Sequence, residues 1–186
     1  MAQLAPTRRF NVHEYHRMAV AGILTEDDRV EVIEGEIVEM PPIGSRHAAC
    51  VDRLTRLFSS QVGDAALVRV QNPVRLNDVS EPEPDLALLE PRRDFYAAAH
   101  PGPGEVLLVV QVADTSVGYD RSVKTPLNAR AGIRELWLVD LERERIEVLR
   151  QPAGGSYRSV RTHRRGARLT IEALPGLEFP VDAILG

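Results

Sequence analysis

The run Val106-Leu107-Leu108-Val109-Val110-Gln111-Val112 constrains this chain more than any other segment. It is apolar at odd and even positions alike and rich in β-branched residues. A strand of that kind is buried on both faces, so its sheet must be covered on both sides. Residues 136–141 repeat the pattern. Helical patterns lie between the strand patterns, which predicts an α/β fold, a mixed sheet with helices packed against it. At 186 residues the chain has room for one domain and little for a second.

The remaining elements follow in order. Asn11 and Glu14 have the form of a capping box and predict a helix over 12–22. Residues 29–40 are β-rich with Glu34-Gly35 at their centre, which predicts a hairpin ended by Pro41, Pro42 and Gly44. Val51, Leu54, Leu57, Phe58 and Val62 share one face of a helix over 45–62. Strands are expected over 66–71 and 85–89, then a long connection over 91–105. A helix is expected over 121–131 with Gly132 as its left-handed cap. Residues 145–149 and 156–162 read as a closing antiparallel ribbon. Residues 1–9 read as a loose leader to a single domain over 1–186.

Several classes fall away. No window approaches ~18 uncharged apolar residues, so no transmembrane helix is expected. Residues 1–9 lack the apolar run of a signal peptide, and the plain reading is a cytoplasmic protein. Cys50 is the single cysteine, so neither a disulfide nor a zinc site of paired cysteines can form within the chain. The net charge is −4, and a nucleic-acid partner would need a local basic surface. Of the 23 basic residues only Lys124 is lysine. Arginine-rich codon usage explains the bias; so does a position that needs a compact point charge of tunable pKa.

Three places carry polar chemistry. Gln111 is the one polar residue in the most apolar strand. A buried amide is hydrogen-bonded or costs ~1–3 kcal/mol, so Gln111 is either a satisfied core residue or part of a site at the strand end. In Glu81-Pro82-Glu83-Pro84-Asp85, prolines fix the chain before a strand, and Glu83 and Asp85 share a parity. The cluster suits a divalent cation, or it is an acidic surface loop. Lys124 falls in the first turn of the expected helix, where the dipole disfavours it by ~0.3–1 kcal/mol. It is a functional cation or a solvated helix lysine.

Weaker signals resolve toward structure. His13 and His16 are three apart, not the four that a zinc-binding HExxH helix needs. Pro101-Gly102-Pro103-Gly104 lacks the amide donors of a phosphate cradle. Ser116 has no evident base, and Cys50 and Trp137 read as core. His47 either faces a site or caps its own helix. Arg161, Arg164, Arg165 and Arg168, with Arg46, Arg53 and Arg56, form either a grip on DNA phosphates or a solvated surface.

Four blocks together carry a family resemblance. They are Pro84-Asp85-Leu86-Ala87; Val109-Val110-Gln111-Val112-Ala113-Asp114-Thr115-Ser116; Tyr119-Asp120-Arg121-Ser122-Val123-Lys124; and Ala129-Arg130-Ala131-Gly132-Ile133-Arg134-Glu135-Leu136-Trp137-Leu138-Val139-Asp140. With Glu31-Val32-Ile33-Glu34-Gly35-Glu36-Ile37-Val38 and His47, the chain resembles the Uma-two restriction-endonuclease family, a branch of the PD-(D/E)XK nuclease superfamily. The resemblance spans about residues 15–149. It implies a restriction-endonuclease-like mixed β-sheet core flanked by helices, with an N-terminal helix and hairpin. It implies DNA phosphodiester cleavage with Mg²⁺ or Mn²⁺ and pairing into a homodimer. It would make Asp85 a metal ligand, position 111 a second metal-binding acid, Lys124 the catalytic cation and Glu31 a supporting acid. His47 also fits it as a candidate DNA contact, while Arg161, Arg164 and Arg165 are candidate DNA contacts through their basic cluster alone.

The chain departs from that pattern at two positions. Position 111 is glutamine, which keeps the length and one carbonyl oxygen but not the charge. Ala113 stands where the lysine usually does, so Lys124 must reach back from its helix. The nearest acid of the same parity on the strand, Glu105, is six residues or ~20 Å away. Two readings follow: a metal-dependent DNA endonuclease impaired at Gln111, or a nuclease-fold protein that binds DNA or acts as a structural module without cutting. A third is an unrelated α/β hydrolytic domain.

Overall fold

The computed structural model describes residues 7–25 and 27–186. Most of the expected leader lies outside the described residues; Thr7, Arg8 and Arg9 are exposed. Arg8 pairs with Glu14, and Arg9 donates to the Glu34 carbonyl.

Helix α1 spans Val12–Val20, and its Asn11–Glu14 capping box forms as expected. Strands β1 (Val30–Ile33) and β2 (Glu36–Glu39) make the hairpin, a small sheet of their own. Its turn needs Gly35: φ is +81°, and a Cβ there would sit 2.6 Å from Arg9 Cβ. Helix α2 follows over Ser45–Gln61.

The main sheet has six strands in the order β3-β4-β5-β6-β7-β8. They are β3 Leu67–Val70, β4 Leu86–Leu89, β5 Val106–Ala113, β6 Glu135–Asp140, β7 Arg145–Ala153 and β8 Ser156–Arg164. Only β5 and β6 run parallel, and their crossover contains the third helical segment. The central strands are buried on both faces, as the apolar run requires. On one face Leu86, Leu108, Val110, Val112 and Trp137 pack against Leu54 and Phe58 of α2. On the other, Ala87, Val109, Ala113 and Leu138 pack with Leu127, Ala129 and the hairpin's Ile33. The Trp137 indole donates to Glu135 Oε1 at 2.7 Å, which meets its one polar demand inside the core.

Two features differ from the sequence expectation. The chain becomes helical at Val117, four residues before Arg121: α3 is Val117–Tyr119, a π turn follows over Asp120–Lys124, and α4 spans Thr125–Ala131. Gly118 in the first turn hides that start. Pro126 explains the π turn. It has no N–H, and its ring would strike the Ser122 carbonyl in a regular helix. The widened turn instead pairs the Thr125 N–H with the Asp120 carbonyl. Lys124 therefore lies inside the helical segment, and the dipole penalty argued for a first-turn lysine does not apply. The second difference is the C-terminus. Beyond the ribbon, β9 (Arg168–Ile171) and β10 (Leu174–Pro180) form another hairpin, and α5 (Val181–Leu185) closes the chain against α2. Phe179 packs on Phe58 and Trp137 with ring centroids 5.0 and 6.0 Å away. Among the described residues no helix is long and apolar enough to cross a membrane.

Candidate functional site

The antiparallel β4–β5 register sets Leu86 opposite Val110 and Ala87 opposite Val109. One step further along the same register brings Asp85 opposite Gln111. Asp85 ends the segment Glu81-Pro82-Glu83-Pro84, in which each proline holds the residue before it extended. The Glu81 N–H donates to the Val32 carbonyl at 2.8 Å and ties this segment to the N-terminal hairpin.

The Asp85 carboxylate is held from two sides. Its Oδ2 accepts from the Val112 N–H at 2.7 Å, and its Oδ1 lies 2.9 Å from His47 Nε2. His47, in the first turn of α2, thus faces the site and does not cap its own helix. The hydrogen bond to Asp85 pushes the imidazole pKa up, against the effect of burial. His47 Nδ1 is buried without a partner among the described residues.

Glu31 and Lys124 form a second pair. Lys124 Nζ is 3.0 Å from Glu31 Oε1, and Glu31 Oε2 accepts from the Glu83 N–H at 3.0 Å. Both side chains are buried. Lys124 comes from the π turn, and Glu31 from the hairpin strand outside the main sheet.

Glu31, His47, Asp85, Gln111 and Lys124 all line one cavity of about 400 Å³. Gln111 is buried at its floor. The lining contains six carboxylates (Glu31, Glu39, Glu83, Asp85, Asp114 and Asp120) and two cationic side chains, Arg29 and Lys124. That imbalance has a price in proton affinity. Burial, then the charge of Glu31, raises the Glu83 pKa. Burial raises the Asp120 pKa, with Asp85 and Glu31 adding to it and the Ser116 hydroxyl and Lys124 opposing. Asp120 Oδ2 accepts from Ser116 Oγ at 2.6 Å. In the sequence, Asp120 is marked only by its spacing of four from Lys124.

Among the described residues no three His, Cys, Asp or Glu side chains are grouped closely enough to hold a metal ion by themselves. The donor chemistry still fits Mg²⁺, which takes oxygen ligands from one or two carboxylates and completes its shell with water. Asp85 and the Gln111 carbonyl oxygen stand on facing strand positions, and the surplus of negative charge favours a cation between them.

The basic candidates separate into two groups. Arg165 binds Glu144 at 2.8 Å, Asp182 at 3.5 Å and the Gly186 carbonyl at 2.9 Å. Arg53 holds the Ile184 and Leu185 carbonyls, Arg46 holds Asp114 and the Leu141 carbonyl, and Arg168 lies 3.6 Å from Glu178. These arginines secure the C-terminal segment and the sheet end. Arg56, Arg161 and Arg164 are exposed and form no ion pair with a described residue. His16 pairs with Glu81, away from the cavity lining.

Comparison with known proteins adds to this geometry. No curated protein matches the chain. The crystal structure of "a putative nuclease belonging to DUF820 from Anabaena variabilis ATCC 29413" shares the fold, with a TM-score of 0.74 over 95% of this chain and 97% of that one, at 15% identity. A family model, Uma2, described as "Putative restriction endonuclease", matches residues 12–182. That span opens with the first residue of α1 and closes inside α5, taking in both hairpins, all six strands of the main sheet and every lining residue of the cavity, and so the chain belongs to the Uma2 family.

Proposed function

We propose that this protein is a metal-dependent DNA endonuclease whose activity is weakened by Gln111. The observation that carries the reading is convergence: Asp85, Gln111, Glu31 and Lys124 come from four segments and line one cavity. A divalent cation, Mg²⁺ or Mn²⁺, supplies a bound water of lowered pKa and positive charge beside the phosphate. Asp85 and the Gln111 carbonyl oxygen are the residues that would hold it, and His47 fixes the Asp85 carboxylate in place. Glu31 keeps the Lys124 ammonium inside the cavity, where it can donate to a phosphate oxygen or orient the attacking water. The excess of carboxylates repels a phosphodiester until a cation offsets it, which makes catalysis conditional on the metal. Gln111 retains an oxygen ligand but contributes no charge. Even loss of an outer partner of a metal costs ~10–100-fold, and loss of a ligand charge costs at least as much.

Gln111 also favours a second reading, a nuclease fold retained for DNA binding without cleavage. Nicking of supercoiled plasmid separates the two. With Mn²⁺ or Mg²⁺ the native chain nicks slowly and Gln111→Glu nicks faster. If Gln111→Glu cuts at no metal concentration, the enzyme reading is wrong and the DNA-binding one stands.

A further inference from the structure

The cavity lining divides by exposure, and its exposed part mixes polar Arg29, Glu39, Gln71 and Thr115 with a set of apolar groups. Glu31, Gln111, Asp120 and Lys124 at its floor are at most 8% exposed. At the mouth, Tyr119 is 38% and Ile43 is 40% exposed. Met40, Pro41 and Pro42 line the cavity beside Ile43, on the connection between β2 and α2. The apolar side of the mouth therefore comes from two segments far apart in sequence, Tyr119 in α3 and the 40–43 connection. Burial, then the charges of Glu31, Asp120 and Glu36, raises the Tyr119 pKa to about 12, so the ring stays an uncharged phenol.

Arg29, exposed on the same lining and donating to the Pro41 carbonyl at 3.1 Å, is the cation a phosphate would meet there; from Tyr119, Ile43 and the prolines a phosphate gains nothing. A nucleobase does, because every base has an apolar face that stacks on an aromatic ring. Tyr119 and Ile43 line the same cavity as Asp85 and Lys124, so a phosphodiester held there has them beside it. In a duplex the flanking bases are locked in the stack, and turning one out costs a few kcal/mol. An unpaired strand can lay a base on the rim while its phosphate enters the cavity.

We propose that Tyr119, with Ile43 and the Pro41-Pro42 segment, is a stacking shelf for an unpaired base beside the scissile phosphate, which makes single-stranded DNA the preferred substrate of the site. The inference rests on the nuclease reading for the word scissile, but its binding half can be measured alone. Fluorescein-labelled 12-mers, single-stranded or duplex, are titrated with the native chain in Ca²⁺ and followed by anisotropy. The single strand is expected to bind at least tenfold tighter than the duplex. Tyr119→Ala weakens single-strand binding about 5–160-fold, the range of one aromatic–base stack, and leaves duplex binding nearly unchanged. Tyr119→Phe keeps the preference, and far-UV circular dichroism confirms that both variants are folded. Equal binding of the two DNA forms, or single-strand binding indifferent to Tyr119→Ala, overturns the shelf. Cleavage of the single-stranded 12-mer by Gln111→Glu in Mn²⁺ reports the other reading separately. A variant that cuts without any Tyr119 effect leaves the nuclease and removes the shelf. A Tyr119-dependent single-strand preference with no cleavage by any variant keeps the shelf and removes the nuclease.

Discussion

Lys124 Nζ lies 3.0 Å from Glu31 Oε1 in a setting where both side chains are almost sealed from water. The one lysine of the chain is thus matched to an acid on a strand outside the main sheet. The pair ties the hairpin to the helical crossover, and removing one partner leaves a buried charge that only part of its surroundings can satisfy. Lys124→Met is expected to cost about 3–5 kcal/mol, read as a drop in Tm of roughly 6–20 °C for a chain of this size. The double change Lys124→Met with Glu31→Leu recovers most of it, because an apolar pair of similar volume carries no desolvation cost. If thermal melts show no loss for the single change, the pair is not coupled as the distance implies.

The position of Phe179 allows a control outside the site. Its ring sits 5.0 Å from Phe58 and 6.0 Å from Trp137, fully buried on the α2 face of the sheet. Phe179→Ala is expected to cost about 3–5 kcal/mol by chemical denaturation, through lost burial and the cavity left behind. Metal binding by the folded fraction stays at the native value. A stability cost below about 1 kcal/mol would show that β10 and α5 are not integral to the core.

Asp140 gives the pH dependence. Burial works to raise its pKa, but the Arg143 N–H at 3.0 Å and the Arg145 and Arg143 guanidinium groups at 3.2 and 3.4 Å outweigh it and hold the carboxyl below the usual range. A folded-state pKa below the unfolded value of about 3.9 stabilises the protein above that pH. The stabilisation is lost as pH falls through the folded value. Asp140→Asn should therefore lower stability near neutrality by about 1–3 kcal/mol and flatten the acid limb of the Tm–pH curve below about pH 4. An acid limb identical to the native one would contradict it.

Gly35 tests the placement of Glu31. At φ +81° with Arg9 Cβ 2.6 Å from a would-be Cβ, Gly35→Val combines backbone strain with a steric clash. A loss of roughly 2–4 kcal/mol is expected in denaturant melts. A Gly35→Val protein as stable as the native one would show that the turn can move away from Arg9.

Much of this arrangement was legible in the sequence because single strong rules wrote it. The Val106–Ala113 strand announces burial on both faces, Asn11 with Glu14 writes its own cap, and Glu34-Gly35 marks the hairpin turn. Asp85 and Gln111 stood out as polar residues at the margin and within apolar strands, and they lie on facing positions. What escaped depends on geometry that no local pattern encodes. The π turn arises from one proline colliding with a carbonyl four residues earlier, and it brings Asp120 into the site unannounced. The pairing of Arg165 has no local signature, because its partners Glu144 and Asp182 are 21 and 17 residues away. The β9–β10 hairpin escaped because Pro175-Gly176 interrupts the register at a bulge.

The most direct test of the central claim is calorimetric titration of Mn²⁺ into the native chain, Gln111→Glu, and Gln111→Glu with Asp85→Asn. If Asp85 and position 111 share one cation, Gln111→Glu binds Mn²⁺ about 10–100-fold tighter than the native chain, and Asp85→Asn abolishes the gain. Equal affinity in all three proteins would contradict it.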